Sequence, residues 1–240
     1  MSDVFQVRAL SKEGRLEPDG VAFKDLFDRV MSEGCAVLRD AFPKAPLGNL
    51  VRSVHEWGRN EAISPAQTYV DKNFHAIEAG ISPRQKTPHI YHAYNFLRID
   101  ETPPELWSAL FPVFERLRIF QNRLTGNEAE FKPDAQGRKA RPQIIHYPSG
   151  GGMFGRHIHP LEPQKIGLIL GLSERGVDFQ SGATNFEAGG RRIATDDCHD
   201  IGDMILFRFD IPHWITCIDQ GEKFNSDSSR GRWTAVLPFA

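Results

Sequence analysis

The chain has 240 residues, 40% of them hydrophobic, with 29 basic and 31 acidic side chains and a formal net charge of −2. That composition can fill a core, and it carries no cationic footprint for nucleic acid. No run approaches the roughly 18 apolar residues of a membrane span, and MSDVFQVRALSKEG has no apolar stretch behind a basic start, so neither a membrane anchor nor an export signal is expected. Cys35, Cys198 and Cys217 are too few and too scattered for a zinc knuckle or a disulfide framework, which points to reduced thiols and a cytoplasmic setting.

Residues 1–20 are polar and read as an irregular or edge segment. Val21, Phe23, Leu26, Phe27, Val30 and Met31 fall on one helical face, and Gly34 is placed to stop that helix. CAVLR, Cys35–Arg39, reads as a short buried strand, and Leu47–Trp57 as a second amphipathic helix. Residues 58–103 show no regular period. So long a stretch in a compact domain suggests a lid or binding loop, and Tyr94, Asn95 and Arg98 near its end are candidate substrate contacts. A third helix is expected from Pro103 or Pro104 to Leu124, capped by Thr102, with Pro112 as a kink and Gly126 as its stop.

From Arg141 onward the period changes. QIIHY, QKIGLILGLS, GATNF, GDMILFRF, HWITCI and RWTAVLPF are strand-like runs separated by turn residues. Strands after helices predict an α+β, mainly β architecture: a distorted jelly roll with the helices packed on one face. One domain over residues 1–240 is expected, with a helical, lid-forming front (1–140) and the strands behind it (141–240). Oligomeric state is not legible.

The chemistry centres on YPSGGGMFGRHIH, Tyr147–His159. His157 and His159 are two apart, so on an extended strand both rings point to the same face. Imidazoles suit iron, zinc, copper or nickel. His213, after a β-run and a bend at Pro212, is the candidate third ligand. Three protein ligands leave positions open for a chelating co-substrate and for dioxygen. The preceding glycines would let the backbone bend close to a bound group. Arg232 offers the fork geometry that a buried carboxylate calls for, and Thr234, two residues on, shares its strand face. Tyr147 would face the site and His146 would face away. Arg208 is placed to meet an anionic substrate if it points inward. His199 reads as a loop residue.

In their order along the chain these features resemble the iron(II)/2-oxoglutarate-dependent dioxygenases, in the prolyl-hydroxylase-like and phytanoyl-CoA-hydroxylase-like branches. The shared pieces are Tyr147 with Gly150–Gly152, the His-x-acid position at His157 and His159, SGATNF (Ser181–Phe186), the GD strand Gly202–Phe207, the distal His213, and Arg232 with Thr234. The resemblance implies a double-stranded β-helix, Fe(II) as metal, and 2-oxoglutarate and dioxygen as co-substrates. It also implies oxidation, most simply hydroxylation, of a small polar or anionic metabolite, with succinate and CO2 as co-products. Tyr147, Arg232 and Thr234 would hold 2-oxoglutarate. One departure stands out: His159 occupies the family's acidic position. Three histidines are therefore the expected metal site, with Glu162 as the alternative ligand. A cupin-like three-histidine dioxygenase without 2-oxoglutarate, or a non-catalytic metal-binding or ligand-binding barrel, are the rival readings.

Overall fold

A computed structural model describes residues 4–12, 14–64, 72–81, 86–98 and 101–239. The chain opens with strands β1 (Phe5–Lys12) and β2 (Arg15–Pro18), then helix α1 (Phe23–Glu33), strand β3 (Cys35–Arg39) and helix α2 (Lys44–Asn60). Of the two readings of residues 1–20, irregular or edge, β1 and β2 realise the edge. β1 pairs in parallel with β3, and β2 forms the sheet edge. Gly34 ends α1 with φ 95°, a conformation an L side chain resists.

Next come β4 (Phe74–Ile81) and β5 (Pro88–Asn95), antiparallel in full register from Phe74 opposite Asn95 to Ile81 opposite Pro88. This hairpin gives regular structure to part of the stretch read as an aperiodic lid or binding loop over 58–103. Residues 65–71, 82–85 and 99–100 of that stretch lie outside the described residues. Alternation was hidden in the sequence because both faces of the hairpin carry aromatic and polar residues. α3 (Pro104–Thr125) follows, with Pro at its start, Pro112 inside it and Gly126 at φ 73° after it. Thr102 does not cap α3: its hydroxyl donates to the Arg98 carbonyl and accepts from Asn73.

The remaining strands are β6 (Gln143–Pro148), β7 (Met153–His157), β8 (Ile166–Gly171), β9 (Thr184–Ala188), β10 (Arg191–Ala194), β11 (Met204–Arg208), β12 (His213–Ile215) and β13 (Gly231–Val236). Their order is β10-β9-β12-β7-β5-β6-β13-β8-β11-β3-β1-β2, with β4 on β5. This is a double-stranded β-helix: mainly β, with three helices among the described residues. Among them, no helix is long and apolar enough to cross a membrane.

Side-chain alternation divides the sheet into two faces. Leu168, Leu170, Met204 and Leu206 join one core with Leu50, Leu110, Phe114 and Leu117 of the helices. Ile169, Ile205, Phe207 and Val37 point the other way, into the barrel, where they meet Phe186 and Ile211. The same alternation governs the strands that carry the site. Tyr94 and Trp233 belong to the helix-facing core, whereas Tyr147 packs inside the barrel beside Tyr91 and Phe154.

Candidate metal centre and its anion pocket

His157 ends β7, His159 lies two residues beyond it, and His213 opens β12, which pairs antiparallel with β7 so that His213 stands opposite His157. The ligand nitrogens available on these three rings all lie within 4.8 Å of one another. The rings sit 4.1 Å (His157–His213), 5.0 Å (His157–His159) and 5.2 Å (His159–His213) apart between centroids. Nδ1 of His157 bonds the Gly155 carbonyl at 2.9 Å, and Nδ1 of His213 the Ile211 carbonyl at 3.0 Å. A carbonyl only accepts, so each Nδ1 carries the hydrogen and each Nε2 keeps a free lone pair, the tautomer a metal ligand needs.

Burial holds the three rings neutral. It lowers the pKa of His157, brings that of His159 to about 4 with help from His157, and pushes that of His213 well below the usual histidine value. Phe154 stacks on His157 at 4.1 Å and Phe209 on His159 at 4.5 Å, which limits how the rings can turn. Three neutral nitrogen donors in a partly buried pocket fit a borderline divalent transition metal. Glu162 is exposed and is not part of the group. It sits in the turn before β8, so His159 and not Glu162 stands with His157 and His213.

Arg232 lies in β13 directly opposite Tyr147 of β6. Only 4% of Arg232 is exposed. Its Nη2 donates to Thr184 Oγ1 at 2.7 Å and to His199 Nδ1 at 3.0 Å, and its Nη1 is buried with no hydrogen-bond partner among the described residues. Burial lowers the guanidinium pKa to about 10. A buried cation with an unused donor is costly unless an anion completes it. Tyr147 is buried beside it, and desolvation raises its phenol pKa. Thr234 is buried on the same face, two residues along β13. The residues expected to hold a carboxylate are therefore together, and they fit one.

Of the four expected substrate contacts, Tyr94, Arg98 and Arg208 are engaged elsewhere, while Asn95 lies on the barrel-facing side of β5, four residues from Tyr91. Tyr94 faces the helices, stacked on Trp233 and bonded to His92. Asn95 accepts from Gln143, and Arg98 pairs with Glu101. Arg208 is bound by Asp210 and the Met31 carbonyl, against α1. Closeness in sequence does not report the face of a strand, as Tyr94 and Arg208 show. The glycine stretch is also corrected. A Cβ on Gly152 would stand 2.4 Å from the Tyr147 carbonyl carbon, and one on Gly150 2.6 Å from the Glu222 carbonyl oxygen. The close approach there is to the chain itself.

Two polar partners of Arg232 escaped the sequence reading. His199 looked like a loop residue, yet it is buried, with Nε2 on the Asp203 carbonyl at 3.2 Å and its pKa lowered to about 3 by burial and then by Arg232. Thr184 lay within the GATNF motif, but nothing in the motif tied it to Arg232. His146 faces away from the site as expected, stacked on Trp233 at 4.1 Å.

No family model matches the chain, and no curated protein matches it in sequence. Solved structures do. A prolyl-4-hydroxylase from Pseudomonas putida superposes with a TM-score of 0.57 at 14% identity, covering 89% of this chain and 96% of its own. An oxidoreductase of the 2OG-Fe(II) oxygenase family from Burkholderia pseudomallei gives 0.56 at 12% identity, over 98% and 94%. A prolyl hydroxylase from Trichoplax adhaerens, solved with a hypoxia inducible factor peptide fragment, gives 0.57 at 12% identity, over 89% and 86%. The fold of this chain is the fold of the 2OG-Fe(II) oxygenases, as the order of its sequence motifs implied.

Proposed function

We propose that the protein is a non-haem iron(II)- and 2-oxoglutarate-dependent oxygenase that oxidises, most simply hydroxylates, a small metabolite. The observation that carries this reading is the buried, unpartnered Nη1 of Arg232. It implies a resident carboxylate inside a barrel that also presents a three-histidine group. A cupin-like three-histidine enzyme without a co-substrate acid gives no reason to bury an arginine in this way.

His157, His159 and His213 would hold the metal, and Arg232, with Tyr147 and Thr234, the distal carboxylate of 2-oxoglutarate. A metal held there would supply the oxidation of 2-oxoglutarate by dioxygen, with succinate, CO2 and an oxidised substrate as products. The chain's own work is to position and to exclude water. Thr184 and His199 hold one guanidinium nitrogen so that the other stays aimed at the carboxylate. Phe154, Phe207 and Phe209 surround the histidine rings with apolar surface, which strengthens every charge interaction inside. The expectation of an anionic substrate rested on Arg208, which is engaged by Asp210.

The test is an anaerobic titration of iron(II)-loaded protein with 2-oxoglutarate, watched for the visible charge-transfer band of a chelate. The band is expected in the wild type, absent in His159→Ala, and shifted to much higher 2-oxoglutarate in Arg232→Ala. Iron binding without any band would refute the 2-oxoglutarate reading.

A further inference from the structure

Four side chains stand in register across four strands on the inner face of the barrel. Glu78 of β4 pairs with Tyr91 of β5. The β5–β6 register, with His92 opposite His146, brings Tyr91 beside Tyr147, and their ring centroids are 6.0 Å apart. Tyr147 in turn pairs with Arg232. The row reads carboxylate, phenol, phenol, guanidinium. Its ends carry opposite charges and differ in depth: Arg232 is 4% exposed, and the Glu78 side chain 17%.

Rings wall the Glu78 end. Phe154, stacked on His157, lies 5.3 Å from Tyr91 and 5.6 Å from His89 between centroids. One aromatic ring therefore separates a histidine of the triad from the residues around Glu78. Nε2 of His89 is 4.0 Å from the Glu78 carboxylate, beyond hydrogen-bond reach, and its Nδ1 is occupied by the Thr87 carbonyl at 3.2 Å. No described side chain donates a hydrogen bond to Glu78. A partly buried carboxylate calls for a cation, and the faces of neighbouring aromatic rings attract one as well. Arg156 is paired with Glu187, Arg192 with Asn185, and Arg208 with Asp210.

We propose that the Glu78 end anchors the substrate and takes an organic cation, an alkylammonium group. Glu78 supplies the counter-charge, and Tyr91, Phe154 and His89 supply the walls. The chain attached to the cation runs past Phe154 toward the three histidines. This names the substrate class of the site under Proposed function and rests on that reading for what becomes of the chain. The two anchors then sort the ligands by charge: the anionic co-substrate goes to Arg232 and the cationic substrate to Glu78. Tyr91 and Tyr147 stand between them.

The test is isothermal titration of the full-length protein with hexyltrimethylammonium and, separately, with hexanoate, each with 2-oxoglutarate present to fill the Arg232 pocket. The ammonium is expected to bind the wild type, at least about tenfold more weakly in Glu78→Gln and about fivefold more weakly in Tyr91→Leu. Hexanoate is expected to give no heat. The proposal is overturned if the ammonium does not bind, if both variants bind it like the wild type, or if hexanoate binds as well. A parallel 2-oxoglutarate titration separates the two readings. If 2-oxoglutarate gives no heat while ammonium binding still depends on Glu78, the oxygenase reading fails and the cation pocket stands.

Discussion

Nη2 of Arg232 donates to Nδ1 of His199 at 3.0 Å, and the other end of that imidazole is tied to the Asp203 carbonyl. His199 thereby sets the plane of the guanidinium and leaves Nη1 as its open face. Removing Arg232 should raise the dissociation constant of 2-oxoglutarate about 100-fold, the worth of two charge-assisted hydrogen bonds. Arg232→Lys should not restore it, because an ammonium cannot hold Thr184 and His199 and still present a separate planar nitrogen to the carboxylate. His199→Ala should cost less, about tenfold, since Thr184 still holds Nη2. Calorimetric titration measures all three. Binding by Arg232→Ala within about threefold of wild type would remove the carboxylate pocket.

His159 stands where a carboxylate would make the site two imidazoles and an acid. His159→Ala leaves two ligands and should lower the affinity for divalent cobalt by at least about tenfold in competition with a chelator. His159→Asp should keep most of that affinity, because a carboxylate is a competent third ligand. Equal affinity in wild type and His159→Ala would mean that the ring is not a ligand.

On the helix-facing side of β5 and β6 lies a second group of histidines. Tyr94 bonds His92 at 3.1 Å, His92 bonds His75 at 2.7 Å, and His146 stacks on Trp233. Burial lowers the pKa values of both His92 and His146 to about 3. Unfolded, each ring takes up a proton near pH 6.5, so the fold is unaffected above that value and loses stability as the pH falls from about 6.5 toward 3. Each ring adds up to about 1.4 kcal/mol per pH unit to that loss. Urea unfolding of His92→Gln and wild type between about pH 7 and pH 5 should show a shallower pH slope in the variant. Identical slopes would show that His92 is not held neutral by the fold.

Gly152 packs against the chain that carries Tyr147. A Cβ there would meet Tyr147 C at 2.4 Å, Pro148 N at 2.5 Å and Pro148 O at 2.6 Å, all backbone atoms that cannot swing aside. Gly152→Ala should cost about 2 kcal/mol or more in denaturant unfolding. Because the β6–β7 turn sets where His157 stands, cobalt affinity should fall with it. A variant as stable as wild type would mean that the turn relaxes freely.

Local periodicity was enough to read the helices and most of the strands of the second half. Leu26 and Val30 of α1, or Met204–Phe207 of β11, carry their period in side chains a few positions apart. The double-stranded β-helix followed from that order, and so did the candidate triad, because His157 and His159 are two apart and His213 follows the GD strand. What the sequence could not give was facing and register. Tyr94 and Tyr91 are three residues apart, so they point to opposite faces: one packs under α2 and the other lines the barrel. Arg208 directly follows the apolar run Met204–Phe207 and still turns to α1. His199 meets Arg232 across 33 residues, and Glu78 meets the aromatic wall through the β4–β5 register. Those pairings depend on which strands lie side by side. Strand order is settled by the packing of the whole sheet, so only the tertiary structure decided which polar groups share the site.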